Sequence, residues 1–302
     1  MNDYSTDVCV LLSSYNGERF IAEQIESILN QNILGLKIYI RDDGSKDSTR
    51  EILKQYSKYT NVNLEFGNNI GVRDSFYWLV KNAPKCRYYA FCDQDDIWDN
   101  DKLSVAKESL EPLPQNVPNV YFSNVRLVNA DGTFIKNWHE MDMANQNKFA
   151  AFLENRATGA TMVFNYNALQ MIEMGWGDDV KLHDWWLYLI GKFFGNVIYD
   201  NVSHMSYRQH DSNVVGANKK TLYKRIINLL ENNSCPRLRN AVAFYKGYEE
   251  FLDDNDKDKI EFFLHYQRSI RDKLLFLKQY DFFDESFSIR TKEKILCMLN
   301  RL

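Results

Sequence analysis

The sequence contains few of the residues that build disulfide scaffolds and zinc sites. Its 302 residues include five cysteines, five prolines and thirteen glycines. The number of cysteines is odd and no two form a CxxC pair, which disfavours both a disulfide framework and a zinc site. They are Cys9, Cys86, Cys92, Cys235 and Cys297. We therefore expect reduced thiols, as in a cytoplasmic protein.

Long apolar runs and an excess of basic charge are also missing. No stretch approaches the roughly 18 consecutive apolar residues that a membrane-spanning helix needs, and Met1–Asp7 lacks the order of a signal peptide. Lysine and arginine total 37 against 41 acidic residues, a net charge of −4, whereas nucleic-acid binders usually carry a basic excess. We expect no nucleic-acid partner, and a protein that is cytoplasmic or at most peripheral on the inner face of the cell membrane.

The first half of the chain alternates between strand and helix patterns. Short apolar runs predict strands at 8–12, 36–40, 61–66 and 88–92. Helical patterns lie between them, at 18–30, 48–59 and 75–81, with Ser48 and Glu51 in capping-box spacing. This alternation predicts an α/β fold, Rossmann-like, with a mostly parallel sheet flanked by helices. In such sheets ligands bind beyond the carboxyl ends of the strands.

The pattern changes after Pro118. A hairpin turn is predicted at Asn129–Gly132, between strands at 120–128 and 133–135. A strand at Gly159–Phe164 and a helix at Asp184–Phe194 follow, and from about residue 218 the chain shows only helical patterns. We therefore predict a catalytic domain at 1–217, with halves at 1–115 and 116–217, and a C-terminal helical region at 218–302.

Carboxylates follow the predicted strands of the first half. They are Asp42, Asp43, Asp93, Asp95 and Asp96. Taken singly, Asp43 could belong to a turn before a capped helix, and the acids at 93–96 to a solvated loop. Gathered at one sheet edge, however, they repel one another unless a cation lies among them. Oxygen ligands select Mg2+ or Mn2+, which commonly bind through one or two carboxylates plus substrate phosphates.

The residues from Val8 to Leu103 resemble the nucleotide-sugar-binding half of a family 2 glycosyltransferase with the GT-A fold. The matching segments are Leu12–Gly17, Ile40–Thr49, Asn69–Gly71, Phe91–Trp98 and Lys102–Leu103. The run Asp-Gln-Asp-Asp-Ile-Trp at 93–98 is similar to the rhamnosyltransferase-like branch that builds bacterial surface polysaccharides. The resemblance continues through 156–160, 183–186 and 207–213, and covers about the first 217 residues.

The resemblance implies a pocket for a nucleotide sugar. Asp43 would contact the base or ribose, and Ser14 and Tyr15 would lie along the same pocket. Arg73 falls where relatives often place a basic residue near the donor, although this local match is loose. Arg208 would neutralise phosphate.

The resemblance also implies a metal site and a catalytic base. Asp95 would be the principal ligand of Mn2+ or Mg2+, supported by Asp96 and by Asp93, which also belongs to the nucleotide-sugar site. His210 would be a further metal or diphosphate contact. Asp184 occupies the position of the family's base, although a helix N-terminus also favours an acidic residue there for structural reasons.

The expected activity is inverting, metal-dependent transfer of a sugar to a hydroxyl of a growing surface polysaccharide, whose chain is either free or lipid-linked. The donor would be dTDP-L-rhamnose or, as the alternative, a UDP-hexose. A phosphatase of the haloacid dehalogenase type also places Asp-x-Asp after a strand, but usually near the N-terminus. A non-catalytic sugar-nucleotide or glycan-binding module is the third possibility, and the joint presence of Asp95 and Asp184 argues against it.

Basic and apolar residues alternate at the start of the C-terminal region. They are Lys219, Lys220, Leu222, Tyr223, Lys224, Arg225, Ile226, Ile227 and Leu230. A basic amphipathic helix of this kind can lie on an anionic membrane. Its apolar face can equally pack on the catalytic domain or on a second subunit, so the sequence leaves membrane contact and homodimer formation open.

Overall fold

A computed structural model describes residues 6–138, 146–210, 236–283 and 287–300. Cys235, the amphipathic segment at 219–230, the last residues of the 207–213 match and the predicted boundary at 217/218 lie outside these residues. The chain divides into two compact units. The first comprises 1–144, 157–173 and 182–214, and the second 145–156, 174–181 and 215–302. No helix among the described residues combines the length and apolar character needed to span a bilayer.

The first unit contains a mixed sheet. Its described strands are β1 (Val8–Ser14), β2 (Leu36–Asp42), β3 (Val62–Phe66), β4 (Tyr88–Cys92), β5 (Ile97–Trp98), β6 (Asn119–Asn129), β7 (Phe134–Asn137), β8 (Val163–Asn165) and β9 (Asn196–Gln209). Their order is β3-β2-β1-β4-β8-β6-β9-β5, and β7 pairs with β6. Strands β1 to β4 are mutually parallel, whereas β8 joins β4 and β6 in antiparallel fashion. The predicted α/β fold is confirmed.

Helices cover the sheet because their apolar faces are buried. They are α1 (Ile21–Leu29), α2 (Thr49–Gln55), α3 (Val72–Asn82), α4 (Lys102–Leu110), α5 (Tyr166–Gly175) and α6 (His183–Phe194). In α1 the side chains of Ile21, Ile25 and Ile28 are fully buried, and each burial contributes about 1.5–3 kcal/mol. The turn that leads into α1 begins at Gly17, whose carbonyl accepts hydrogen bonds from the amides of Phe20 and Ile21, both at 3.0 Å.

The described part of the second unit is helical. Its α-helices are α7 (Pro236–Tyr248), α8 (Asp254–His265), α9 (Ile270–Phe276) and α10 (Phe287–Met298). Helix α8 begins after Asp253, whose carboxylate accepts from the Asp256 amide at 2.8 Å, and Ser269 caps α9 in the same way. Stacked aromatic rings fill the core of this unit, among them Phe263, Tyr266 and Phe276.

Two local predictions are wrong and one is confirmed. The hairpin around Asn129–Gly132 is present as the antiparallel pair β6 and β7. The strand predicted at Gly159–Phe164 is restricted to Val163–Asn165, because a turn of 3-10 helix occupies Gly159–Thr161. The capping box at Ser48 does not form, since the Ser48 side chain makes no cap hydrogen bond. Its backbone amide instead donates to the Glu18 carboxylate, in the segment between β1 and α1.

Candidate active site at the carboxyl ends of the strands

The site lies where β1, β2 and β4 end side by side. Ser14 pairs in register with Asp42, and Leu12 pairs with Cys92. The segments that follow these three strands therefore leave the sheet at one edge, as the sequence predicted. The positions of their side chains depend on hydrogen bonds between the segments.

The loop after β1 is bonded to the loop after β2. The Asn16 amide donates to the Ser45 hydroxyl at 2.9 Å, and the Asn16 side chain accepts from the Lys46 amide at 2.8 Å. The Gly17 amide donates to the Thr49 hydroxyl at 2.8 Å. Because each bond satisfies a backbone amide of one loop with a side chain of the other, the two loops form one structure.

Asp42 and Ser14 are structural in this arrangement. The Asp42 carboxylate is fully buried and accepts from the Ser45 amide and hydroxyl and from Arg50 Nε. The Ser14 hydroxyl is buried as well and lies 3.4 Å from the same carboxylate. Its predicted place along the nucleotide pocket stays a prediction.

The Asp43 carboxylate is 3% exposed and already has three partners. It pairs with Arg41 and accepts from the amides of Ile70 and Gly71, both at 2.9 Å. A carboxylate accepts about four hydrogen bonds, so one direction remains for a ligand. Asp43 therefore holds the 68–71 loop in place, and its predicted contact with the base or ribose stays a prediction.

Both arginines predicted for the nucleotide-sugar site have partners within the protein. Arg73 forms two hydrogen bonds with Asp74, at 2.8 and 2.9 Å. Arg208 is buried, donates to the Ala130 carbonyl at 3.0 Å and pairs with Glu23. These contacts do not test the two predictions, which stay predictions.

Asp93, Asp95 and Asp184 interact electrostatically and form one group, the acid cluster. Burial, followed by the negative charges of Asp95 and Asp184, raises the pKa of Asp93 to about 7. Burial also raises the pKa of Asp95, against the opposing effect of His210, whose Nε2 lies 2.8 Å from Asp95 Oδ2. Burial and mutual repulsion therefore disfavour the ionised form of these carboxylates.

Asp96 is more deeply buried than Asp93 and Asp95. It is 1% exposed, and burial followed by repulsion from Asp95 and Asp93 raises its pKa well above the usual range. Lys102 is buried nearby with its ammonium 3.8 Å from the centre of the Trp98 ring, and burial lowers the pKa of Lys102 to about 7. The predicted role of Asp96 as a metal ligand stays a prediction, because its carboxylate is enclosed.

The residues of the cluster fit a divalent cation bound together with a phosphate ligand. Within the described part of the chain, no three His, Cys, Asp or Glu side chains converge as a ready-made metal site. Asp95 and His210, however, lie within hydrogen-bond distance of each other among acids whose pKa values are raised. Mg2+ typically takes only one or two carboxylates from the protein and further oxygens from substrate phosphates.

Asp184 stands in the first turn of α6 beside the 3-10 turn that contains Gly159. One of its oxygens accepts from the Trp185 amide at 2.6 Å, and a Cβ placed on Gly159 would come within 3.2 Å of the Asp184 Cβ. The preceding His183 is buried and stacks on Phe76 at 3.8 Å. Burial lowers the pKa of His183 to about 3, so this ring is neutral. The predicted role of Asp184 as the base stays a prediction.

The repulsion within the acid cluster predicts that Asp93→Asn stabilises the metal-free protein at pH 8 but not at pH 4. The folded-state pKa near 7 exceeds the value of about 3.9 in an unfolded chain. The folded state therefore keeps a proton that the unfolded state releases, and stability falls as pH rises between 4 and 7, by up to about 4 kcal/mol. Thermal unfolding in EDTA measures the effect.

The control is Asp131→Asn, because hydrogen bonds from Thr133 lower the pKa of Asp131. That variant should gain no stability at pH 8. An Asp93→Asn shift in Tm of the same size at pH 4 and pH 8 would contradict the electrostatic explanation.

A cleft of about 560 Å3 opens beside Asp95 and His210. Its other lining residues are Asn16, Gly17, Arg19, Phe20, Gln94, Asn129, Ala130, Asp131 and Gln209. Sequence reasoning predicted the turn at 129–132 but not its place in the site, and it missed Arg19, Phe20 and Gln94. Phe20 lies 4.9 Å from the His210 ring and 4.9 Å from the Arg208 guanidinium. Tyr15, 41% exposed, stands in the adjacent loop.

Comparisons with known proteins agree with this arrangement. The sequence profile of glycosyl transferase family 2 matches residues 9–176. The chain is 34% identical over 252 residues to the dTDP-rhamnosyl transferase RfbG of Shigella flexneri, covering 77% of this chain and 84% of the relative. It is 34% identical over 137 residues to a putative teichuronic acid biosynthesis glycosyltransferase, TuaG of Bacillus subtilis, covering 44% of this chain and 52% of the relative.

A solved structure shares the fold. The crystal structure of S. aureus TarS 1-349 in complex with UDP-GlcNAc superposes with a TM-score of 0.52 at 12% sequence identity. The match covers 98% of this chain and 92% of the TarS chain. At this level of identity the likeness establishes the fold alone.

Proposed function

The chain belongs to glycosyl transferase family 2, and we propose that it moves a deoxyhexose, L-rhamnose, from a nucleoside diphosphate to a saccharide hydroxyl with inversion. The assignment of the protein as a glycosyltransferase follows from the family and from the names of its relatives. It overturns the haloacid dehalogenase alternative. The observation that carries the proposal is the acid cluster, in which Asp93 interacts electrostatically with both Asp95 and Asp184.

In the proposed reaction Asp95 and His210 would hold Mn2+ or Mg2+ together with the donor diphosphate. The ion would neutralise the negative charge that develops on the leaving group. The chain's own residues keep this site in place: Asp95 accepts from His210, and Phe20 packs against the His210 ring. Asp93 would face the donor sugar and phosphate, where its surplus negative charge meets the cation.

Asp184 is the proposed base. An acceptor hydroxyl is too weak an acid to attack unassisted at neutral pH, so a carboxylate must take its proton as the new bond forms. A single carboxylate suffices when the hydroxyl displaces the diphosphate directly, and the configuration at the anomeric carbon is then inverted. Burial lowers the pKa of the neighbouring His183 to about 3, which makes that ring a poor proton acceptor, so we assign the role to Asp184.

The donor is proposed to be dTDP-L-rhamnose, and a UDP-hexose is the alternative. Support comes from the rhamnosyl transferase relative, of which the chain covers 84%. Titration of the purified full chain with a panel of nucleotide sugars in Mn2+ tests this, and dTDP-L-rhamnose should bind most tightly. Tighter binding of a UDP-hexose would replace the proposed donor.

The acceptor is proposed to be a growing bacterial surface polysaccharide. Consumption of the donor, measured with and without a saccharide acceptor, separates a transferase from a module that only binds sugar nucleotides. Strong stimulation by acceptor, with a glycoside as product, is expected. Binding without any turnover would favour the binding module.

Contact of the C-terminal region with a membrane surface or with a second subunit remains a sequence-based proposal, because residues 219–230 lie outside the described part of the chain. Liposome flotation and analytical sedimentation of the full chain distinguish the two. Flotation that requires anionic lipid supports membrane contact, and a lipid-independent dimer supports the other.

A further inference from the structure

The side chain of Gln94 connects the loop after β4, which contains the acids at 93–96, to the backbone of the loop after β1. Its Oε1 accepts from the Tyr15 amide at 2.8 Å, and its Nε2 donates to the Tyr15 carbonyl at 2.9 Å. One primary amide thus satisfies both polar backbone groups of Tyr15, as a neighbouring strand would. Gln94 stands between Asp93 and Asp95, so the two bonds join the exposed Tyr15 to the acid cluster.

Gly17 leaves the room that Gln94 needs. A Cβ built at Gly17 would lie 2.2 Å from Gln94 Oε1 and 2.6 Å from its Cδ, far closer than van der Waals contact allows. The obstructing atoms are the end of a flexible side chain, so alanine at this position would displace Gln94 and leave the backbone where it is. The glycine and the glutamine therefore act as a pair.

We propose that Gln94 is a positioning residue. By holding the Tyr15 backbone at a fixed distance from the acid cluster, it fixes the distance between the nucleoside and diphosphate parts of the donor pocket. The inference rests on the proposed function, in which Tyr15 lies along the nucleotide and Asp95 lies at the metal. Gln94 acts through the Tyr15 backbone and not on the reacting atoms. Losing it should therefore weaken donor binding more than it slows the chemical step.

The first test is Gln94→Met, which keeps the length of the side chain and removes both hydrogen bonds. We expect the donor KM, and the Kd for the nucleoside diphosphate with Mn2+, to rise about tenfold, with kcat within about threefold of wild type. The matched control is Gln115→Met. Gln115 also binds two backbone groups through its amide, the carbonyls of Leu110 and Leu113 at 2.9 Å, but it lies outside the cleft lining.

The second test is a double-mutant cycle with Gly17→Ala. Alone, this variant should fold and reproduce the weakened donor binding of Gln94→Met, because it displaces the same amide. In a Gln94→Ala background the added methyl has space, and Gly17→Ala should change the Kd by less than twofold. Additive effects of the two substitutions would overturn the pairing.

A third measurement separates positioning from direct contact with the donor. Tyr15→Ala keeps the backbone groups that Gln94 binds but removes the side chain that they place. In that background Gln94→Met should no longer change the nucleotide Kd. A persistent tenfold loss would mean that Gln94 touches the donor itself, and a Kd unchanged by Gln94→Met in the wild-type background would refute the proposal.

The outcomes distinguish this inference from the proposed function. If the wild-type chain binds no nucleoside diphosphate at all, the proposed function fails and the role in donor binding fails with it. Coupling between Gly17→Ala and Gln94→Ala in thermal unfolding would still report the contact between the two residues. If the wild type binds and transfers normally while Gln94→Met matches Gln115→Met, only the positioning role is wrong.

Discussion

Asp95→Ala is expected to abolish measurable sugar transfer, a loss of at least roughly 10³-fold, while the protein stays folded. Asp95 lines the cleft and lies 2.8 Å from His210. Loss of one group that stabilises developing charge typically costs about 10²–10³-fold, and loss of the cation site should cost more. Because Asp95 raises the pKa of Asp93 by repulsion, its removal should not lower the thermal stability of the metal-free protein.

The control for this variant is Asp258→Ala, which removes an exposed acid from helix α8 in the second unit. It should transfer sugar at the wild-type rate. The metal itself is tested by assaying the wild type in excess EDTA and then restoring Mn2+ or Mg2+. Full activity in EDTA would rule out the metal-dependent mechanism, and the loss expected for Asp95→Ala would then need another cause.

Asp184→Asn should lower turnover by roughly 10²–10⁴-fold, the range typical of general base catalysis. Asparagine keeps the shape of the side chain and the oxygen that accepts from the Trp185 amide, but it cannot accept the acceptor's proton at neutral pH. Donor Kd should stay within about twofold of wild type, because the proposed nucleotide contacts lie on other loops. Parallel measurements of kcat and donor Kd separate the two effects.

Near-normal transfer by Asp184→Asn would leave Asp184 with a purely structural role at the start of α6. Asp178→Asn and Asp179→Asn serve as controls, since neither residue belongs to the acid cluster, and both should keep wild-type turnover. If one of them loses activity while Asp184→Asn does not, that residue becomes the candidate base.

The sequence alone was enough to predict the α/β fold, the hairpin at 129–132 and the loops that meet at one sheet edge. These features depend on local patterns. An apolar run followed by a helical pattern specifies a parallel strand and the helix that connects it to the next strand. Neighbouring parallel strands necessarily end at the same edge of the sheet. The carboxylates that follow β2 and β4 were therefore brought to one sheet edge by topology, which sequence order determines, and the resemblance to family 2 glycosyltransferases followed from the same segments.

The depth and the partners of each side chain were decided by tertiary contacts. Asp95 and Asp96 are neighbours in sequence, yet one lines the cleft while the other is enclosed beside Lys102. Arg208 lies in a polar segment that suggests phosphate, yet it is buried against Glu23 and a turn carbonyl 78 residues away. No local pattern encodes such pairings, because the partners are distant along the chain.

Gln94 shows the same contrast between what the sequence predicts and what the tertiary structure determines. Its neighbours in the run of acids mark the site in the sequence, but an amide between two aspartates has no pattern of its own. Its function in the structure comes from the loop after β1, where Tyr15 presents two backbone groups and Gly17 leaves space. Sequence determined which strands end together and which acids they carry. Only the folded chain decided which of those acids line the cleft and what holds them there, because burial and hydrogen bonding are properties of contacts between segments remote in sequence.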